Sequence, residues 1–564
     1  MSERSTAMTW DRVVCALVAH GVDTVFGLPG DDMSILGALD KRGIRVILVR
    51  DQRHALYQAI GYGRISGRPA VCFVGKGPAL THAATGLLEA RSMRVPLVLI
   101  SSGVAAERLG RGAFQELDPL ETLGALTVGV IRVSDESIEL DLTEAFRLSI
   151  RRGRGPVIVE VPEGLASRST ASVAVGTGSL SRPQIQVPFP AHISDAKRPL
   201  LLVGGGCTAE TIGEKIVAFA ERMGAALMVT PSGRGVIDET HPLFLGVSGL
   251  YMPAQATPVL EVVDLIIALG TRLEETATFG WEASLAPDCP IVQVLDDTRD
   301  FVLGRLTERV VADVGDAVNT WQEAPPTLAD EAWLDSVMLV HSAMIEDADV
   351  APCTTAGLKP RVRDVLRELD AALPTGRISI HENGLQDMWS YVFPHWIVHP
   401  DAACLVPSEQ TPLGFGVAAS RGVAAADSRP IVVIGGDGAF CAVGPDLAGF
   451  AEIEHPLVVT VLANGGFGWL EANRRQAGVP FGFLGGRAVV RGLCAAYGLN
   501  YVGCDDAAEL ADAVRRAWHL AQGGHCVVLD VAVELEDVPP GFEELAGDFP
   551  VALSSQPLLK GEVV

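Results

Sequence analysis

The sequence predicts three α/β domains, each doubly wound around a mainly parallel sheet. Short runs such as RVILV (45–49), PAVCFV (69–74) and PLVLIS (96–101) are continuously apolar. Unbroken apolar runs of this length suit strands covered on both faces. Ala-rich helical stretches separate them and supply the crossovers that parallel strands need. The same alternation returns in PLLLVGGG (199–206) and VDLIIALG (263–270), then in PIVVIGG (430–436) and LVVTVLANGG (457–466). Two segments interrupt it: the Ser-, Gly- and Pro-rich residues 166–190, and EAPPTLAD (323–330). Cutting there gives blocks at 1–170, 188–325 and 355–540, with a Pro-containing tail at 541–564 expected to wrap another surface. No sequence repeat relates the blocks, although a shared architecture is expected of them.

Composition narrows the function. Of 564 residues, 48% are apolar and 20% charged, which supports a full core in each block and excludes a largely disordered chain. Acidic residues exceed basic ones by 69 to 44, a formal charge of -25 that repels nucleic-acid backbones and anionic membrane surfaces. There is no apolar run long enough to span a bilayer and no apolar signal core behind the first charged residues. Ten scattered cysteines without a CxxC pair read as reduced thiols, so the expected compartment is the cytoplasm.

The sharpest motif follows the strand IVVIGG. Gly436-Asp437-Gly438 ends one apolar run, and Asn464 ends another, 27 positions after Asp437. Two strand ends can set a carboxylate beside a carboxamide at the carboxyl edge of a parallel sheet, where ligands bind in such folds. Mg²⁺ takes oxygen ligands in octahedral order and commonly keeps phosphate and water among them. Asp437, Asn464 and the Gly466 carbonyl, with two diphosphate oxygens and a water, would complete that shell. Gly438 and Ala439 leave room for backbone N–H groups to approach phosphate. Read alone, GDG is a tight strand-to-helix turn; the Asn-Gly-Gly at this spacing favours the ligand site.

With GDG…AN the chain resembles the thiamine-diphosphate enzymes of the acetolactate synthase and pyruvate decarboxylase superfamily, where the pair reads GDG…NN. Ala463 replaces the first Asn, and the metal-binding member survives as Asn464. The resemblance extends over roughly 500 residues. It runs through GVDTVFGLPGDD (21–32), GKGPALTHAATGLLEA (75–90, with Gly77), GAFQELD (112–118), HENGLQDMW (381–389) and TPLGFGVAAS (411–420). It implies a pyrimidine-binding domain, a central domain and a diphosphate-binding domain. Asn383, Gly384 and Gln386 are implied diphosphate contacts, together with Gly436, Gly466 and Phe467. Thr411 is implied to hold the pyrimidine edge, and Leu413 to be the apolar wedge that bends the coenzyme, against the alternative of a core leucine.

The resemblance also exposes a departure. The family's pyrimidine-contacting Glu falls on Gln52 of VRDQRHALYQAIGYGR (49–64) without a gap. Gln hydrogen-bonds but carries no proton at neutral pH. Three outcomes stay open: a slower carboligase, substitution by Asp51, His54 or His82, or a cofactor-binding subunit with little turnover. Asp31 either caps the helix beginning DMSILGALD or acts on the substrate as in decarboxylases. Phe114 and Gln115 resemble the acetolactate synthase pocket for a small acyl group. Glu471 is one position off the family's catalytic glutamate, Trp469 either narrows the pocket or packs, and His395 with His399 is not read as zinc-binding. Gly204-Gly205-Gly206 leaves FAD open without predicting it. The expected function is a thiamine-diphosphate- and Mg²⁺-dependent enzyme on a small 2-oxo acid, acetolactate synthase-like, with decarboxylation to an aldehyde as the alternative. A homodimer or homotetramer with the active site between subunits is implied.

Overall fold

The structure, a computed structural model, describes residues 3–30, 32–151, 153–165, 185–207, 212–278, 289–301, 306–323, 329–480, 487–540 and 542. Most of linker 166–190 and nearly all of the tail therefore lie outside the described residues, as does Asp31.

Three six-stranded sheets account for the described strands, and every strand pair in them is parallel. The first contains β1 (Thr24–Leu28), β2 (Arg45–Leu48), β3 (Ala70–Val74), β4 (Leu97–Gly103), β5 (Gly129–Arg132) and β6 (Pro156–Pro162), in the order β2-β1-β3-β4-β6-β5. The second contains β7 (Pro199–Val203), β8 (Ala226–Val229), β9 (Phe244–Val247), β10 (Leu265–Leu269), β11 (Ile291–Leu295) and β12 (Leu306–Val311), in the order β12-β11-β10-β7-β8-β9. The third contains β13 (Ile378–His381), β14 (Ala403–Leu405), β15 (Ile431–Gly436), β16 (Leu457–Ala463), β17 (Asn500–Cys504) and β18 (Cys526–Ala532), in the order β14-β13-β15-β16-β18-β17. The first and third sheets thus share one winding, while the central sheet has another.

The apolar runs behave as their composition demands. Every residue of β3, β7, β10, β16 and β18 is buried, because helices cover both faces. Contacts gather the chain into two compact units rather than three equal blocks. One comprises residues 1–183 with 418–428 and 443–452; the other holds 184–417, 429–442 and 453–564. In the second unit the central and third sheets share one core, in which Phe244, Tyr251 and Leu265 are joined by Met388, Tyr391 and Phe393. A buried ion pair reinforces that junction: Arg234 binds Glu239 through two N–H···O bonds of 2.9 Å and donates to the carbonyls of Ser390 and Trp396. In the first unit, helix Gln52–Ser66 receives the 418–428 segment so closely that a Cβ on Gly422 would stand 1.7 Å from the Gln58 carbonyl oxygen.

Candidate functional site

In an open parallel sheet, ligands bind where neighbouring strands send their connections to opposite faces. In the third sheet that point lies between β13 and β15. β13 ends at His381 and delivers Glu382, Asn383, Gly384 and Gln386; β15 ends at Gly436 and delivers Asp437, the first residue of helix Asp437–Val443. Next to β15, β16 ends at Ala463 and delivers Asn464, with Gly436 level with Leu462 across the pair. Register therefore brings together two residues 27 positions apart.

The Asp437 carboxylate accepts the Gly438 amide at 3.1 Å, and the backbone of Gly465 and Gly466 faces it closely enough to oppose the rise of its pKa. Asn464 Oδ1 accepts the Gly466 amide at 3.1 Å, and its Nδ2 donates to Gln386 Oε1. Gln386 is in turn held by the Leu535 carbonyl, 2.7 Å from its Nε2. Gly438 is small of necessity, since a Cβ there would lie 2.9 Å from the Phe467 ring. Asp437, Gly438, Asn464, Gly466, Phe467 and Gln386 thus form one constellation.

Its unpaired atoms say what would fit there. Asn383 Oδ1, Asp387 Oδ1 and Asp437 Oδ2 are buried oxygens without a hydrogen-bond partner among the described residues. Buried acceptors left unpaired are costly, so a site lined by them suits a cation. Burial pushes the carboxyl pKa of Asp437 up to about 6, that of Asp387 to about 7 and that of Glu382 to about 8. Among the described residues no three His, Cys, Asp or Glu side chains are grouped to hold a metal. One carboxylate with carboxamide and carbonyl oxygens is a hard donor set that needs phosphate oxygens to become a full shell. These residues fit Mg²⁺ carried with a diphosphate. Glu382 and Asp387 are the participants that sequence reasoning passed over, though both stand inside the quoted HENGLQD segment.

Glu382 also organises the neighbouring turn. Its Oε1 accepts the Val417 amide at 3.1 Å, fixing the start of helix Phe415–Ala426. Before that helix, Thr411 has φ 40° and Gly414 φ 81°, a sharp reversal that displays Leu413. Leu413 is 46% exposed.

The first unit carries the other predicted residues at the carboxyl edge of its sheet. Gly77 (φ 58°) lies against Gln115 (φ 57°), with only 2.8 Å between a Cβ at 77 and that of Gln115. Phe114 is 73% exposed, and the Lys76 ammonium sits 5.9 Å from its ring centroid. Gln52 opens helix Gln52–Ser66. Of its three ionisable neighbours, Asp51 caps that helix through the Arg53 amide (2.8 Å) and pairs with the Arg53 guanidinium (3.1 Å). His54 is buried against Asp446, 2.6 Å away. His82 alone of the three reaches the carboxamide, its Nδ1 3.3 Å from Gln52 Oε1. Near Asp31, which lies outside the described residues, Asp32 accepts the Ser34 amide at 2.9 Å and the Trp10 indole N–H at 2.6 Å.

Other candidates have ordinary explanations. Glu471 is bound by Arg474 and Arg475, which hold its carboxyl down to about 2, so it stays ionised and is unsuited to donating a proton near neutrality. Trp469 packs on the shared core. Burial lowers His395 to about 4, with its ring edge-on to Trp389. The 204–206 glycines are close-packed: a Cβ on Gly204 would be 2.5 Å from that of Thr271, and one on Gly206 2.8 Å from the Gly270 carbonyl oxygen. Protein contacts explain that run without a flavin.

Comparison with known proteins decides the family. Three family models match in order: thiamine pyrophosphate enzyme N-terminal TPP binding domain at 9–122, central domain at 190–322 and C-terminal TPP binding domain at 383–531. This chain belongs to the thiamine pyrophosphate enzyme family. Among its relatives is a chloroplastic acetolactate synthase of Arabidopsis thaliana, 30% identical over 478 residues, 80% of this chain and 69% of that protein. The acetolactate synthase large subunit of Corynebacterium glutamicum is 28% identical over 482 residues, 81% of this chain and 75% of the relative. A probable 2-ketoarginine decarboxylase, AruI, of Pseudomonas aeruginosa is 29% identical over 487 residues, 83% and 84% of the two chains. The three parallel-sheet domains are those of an acetolactate synthase-like thiamine pyrophosphate enzyme.

Proposed function

We propose that this protein is a thiamine-diphosphate- and Mg²⁺-dependent enzyme that cleaves and forms carbon–carbon bonds on a small 2-oxo acid, with acetolactate synthase-like carboligation as its reaction. The observation that carries the reading is the unpaired Asp437 Oδ2 set beside the Asn464–Gly466 loop, in a chain matched by two TPP binding domains. Asp437, the Asn464 carboxamide oxygen and the Gly466 carbonyl hold the metal. Asn383, Gly384, Gln386, Gly436, Gly438, Ala439 and Phe467 surround the diphosphate. Thr411 and Leu413 position the pyrimidine and set the bend of the coenzyme. Thiamine diphosphate, when bound, would supply a nucleophilic carbon and an electron sink for the bonding pair left on the substrate carbon when CO₂ departs.

In an active site that lies between subunits, Gly77 and Gln52 of the pyrimidine-binding domain would address the pyrimidine, and Phe114 and Gln115 would line the side where substrate enters. Gln52 can hydrogen-bond the ring but cannot relay a proton, and loss of a positioned acid–base group costs about 10²–10⁴ in rate. Slow turnover is therefore part of the proposal. The working assembly is a homodimer or homotetramer. A second reading, decarboxylation that releases an aldehyde, is favoured by similarity to the probable 2-ketoarginine decarboxylase.

Calorimetry with thiamine diphosphate and Mg²⁺, followed by product analysis with pyruvate, separates these readings. Acetolactate supports carboligation and acetaldehyde supports decarboxylation. Binding without turnover, in wild type and in Gln52→Glu alike, would make the chain a cofactor-binding subunit. Failure to bind would reject the proposal.

A further inference from the structure

Gln52 is surrounded by ionisable residues, yet two of them are already committed. Asp51 is spent on the helix cap and on Arg53, and His54 on the buried Asp446. His82, the last residue of helix Pro78–His82, is left, and its Nδ1 lies 3.3 Å from the oxygen of the Gln52 carboxamide. The Gln52 amide nitrogen makes no hydrogen bond among the described residues.

A carboxamide has one accepting end and one donating end. An imidazole facing the oxygen must present N–H there, which fixes the ring as the Nδ1-protonated tautomer. With its oxygen turned toward His82, Gln52 presents its NH₂ group on the other side. We propose that His82 is a positioning residue that sets the direction of the Gln52 amide, so that the coenzyme's pyrimidine nitrogen meets a hydrogen-bond donor and is held as an unprotonated acceptor. This inference rests on the functional reading above and deepens it. A carboxylate at position 52 would accept a proton from that nitrogen's side, whereas this amide can only donate to it. His82 and Gln52 together would then give the ring a contact opposite in sense to the one the family's glutamate makes.

The direction can be reversed by mutation. In His82→Glu the new carboxylate only accepts, so it draws the Gln52 NH₂ group toward itself and turns the oxygen outward. His82→Lys keeps donors and adds no acceptor, so it should behave as wild type. Calorimetry would compare thiamine diphosphate with an analogue in which the pyrimidine N1 is CH, each with Mg²⁺. Wild type and His82→Lys should prefer the natural coenzyme by about tenfold, the worth of one hydrogen bond. His82→Glu should lose that preference. In the free protein, ¹⁵N spectra of the His82 ring should show the Nδ1–H tautomer, and Gln52→Met should abolish it. His82 is on the surface, so unchanged melting would confirm that the variants fold. An Nε2–H tautomer in free wild type, or a preference retained in His82→Glu, would overturn the inference alone. No binding of thiamine diphosphate to wild type would overturn the functional reading beneath it.

Discussion

Replacing Glu239 by Ala tests the junction between the central sheet and the diphosphate-binding sheet. Arg234 and Glu239 are each 1% exposed at the side chain, so neither charge has water to fall back on. The glutamate makes two 2.9 Å bonds to the guanidinium and accepts the Val398 amide at 2.9 Å. The guanidinium in turn fixes the carbonyls of Ser390 and Trp396, just after the Gln386 turn. Deleting one partner of a buried pair leaves an uncompensated charge and costs about 3–5 kcal/mol. Removing both charges with apolar residues of similar volume is often neutral. Urea unfolding followed by the fluorescence of Trp389 and Trp396, which flank the Ser390 contact, should therefore show Glu239→Ala destabilised by about 3–5 kcal/mol. Arg234→Met/Glu239→Leu should recover most of that loss. A single variant within about 1 kcal/mol of wild type, or a double variant worse than the single, would refute the reasoning.

Three further outcomes follow from the same geometry. Burial raises the Glu382 carboxyl from its ordinary 4.5 to about 8, so the folded state binds its proton more tightly than the unfolded chain does. Coenzyme-free protein should thus be most stable below pH 4.5 as far as this group is concerned, and lose that contribution as pH rises to about 8. Glu382→Gln should flatten the decline in a series of melts. Asp437→Asn removes a desolvated charge, so the free protein should melt no lower than wild type, while calorimetry finds Mg²⁺-dependent coenzyme binding abolished. Gly422→Ala would drive a Cβ to 1.7 Å from a backbone oxygen that cannot yield without moving a helix, and should cost several kcal/mol by urea titration; a loss under about 1 kcal/mol would contradict that contact.

Much of the fold could be read locally. The run at 199–206 marks β7 and that at 457–466 marks β16, because a strand buried on both faces must be apolar throughout. Strand order could not be read that way. β1 pairs with β3, and β13 with β15, only because intervening crossovers pass to one face or the other, which short apolar runs do not record. Similar limits apply to single residues. The sequence does not record that Leu413 is half exposed, which follows from the turn at the left-handed Thr411. Glu382 and Asp387 look like ordinary polar residues in HENGLQD, and only packing makes their carboxyls hold protons near neutral pH.

The linear order of residues was enough to predict parallel α/β domains and to single out Asp437, Asn464 and the carboxamide at position 52, since each rests on residue type and spacing along one chain. Tertiary structure decided which of Asp51, His54 and His82 touches Gln52, and which buried oxygens go unpaired. Those outcomes depend on distances of a few ångströms between segments separated by tens of residues, and such distances exist only once the sheets have closed and expelled their water.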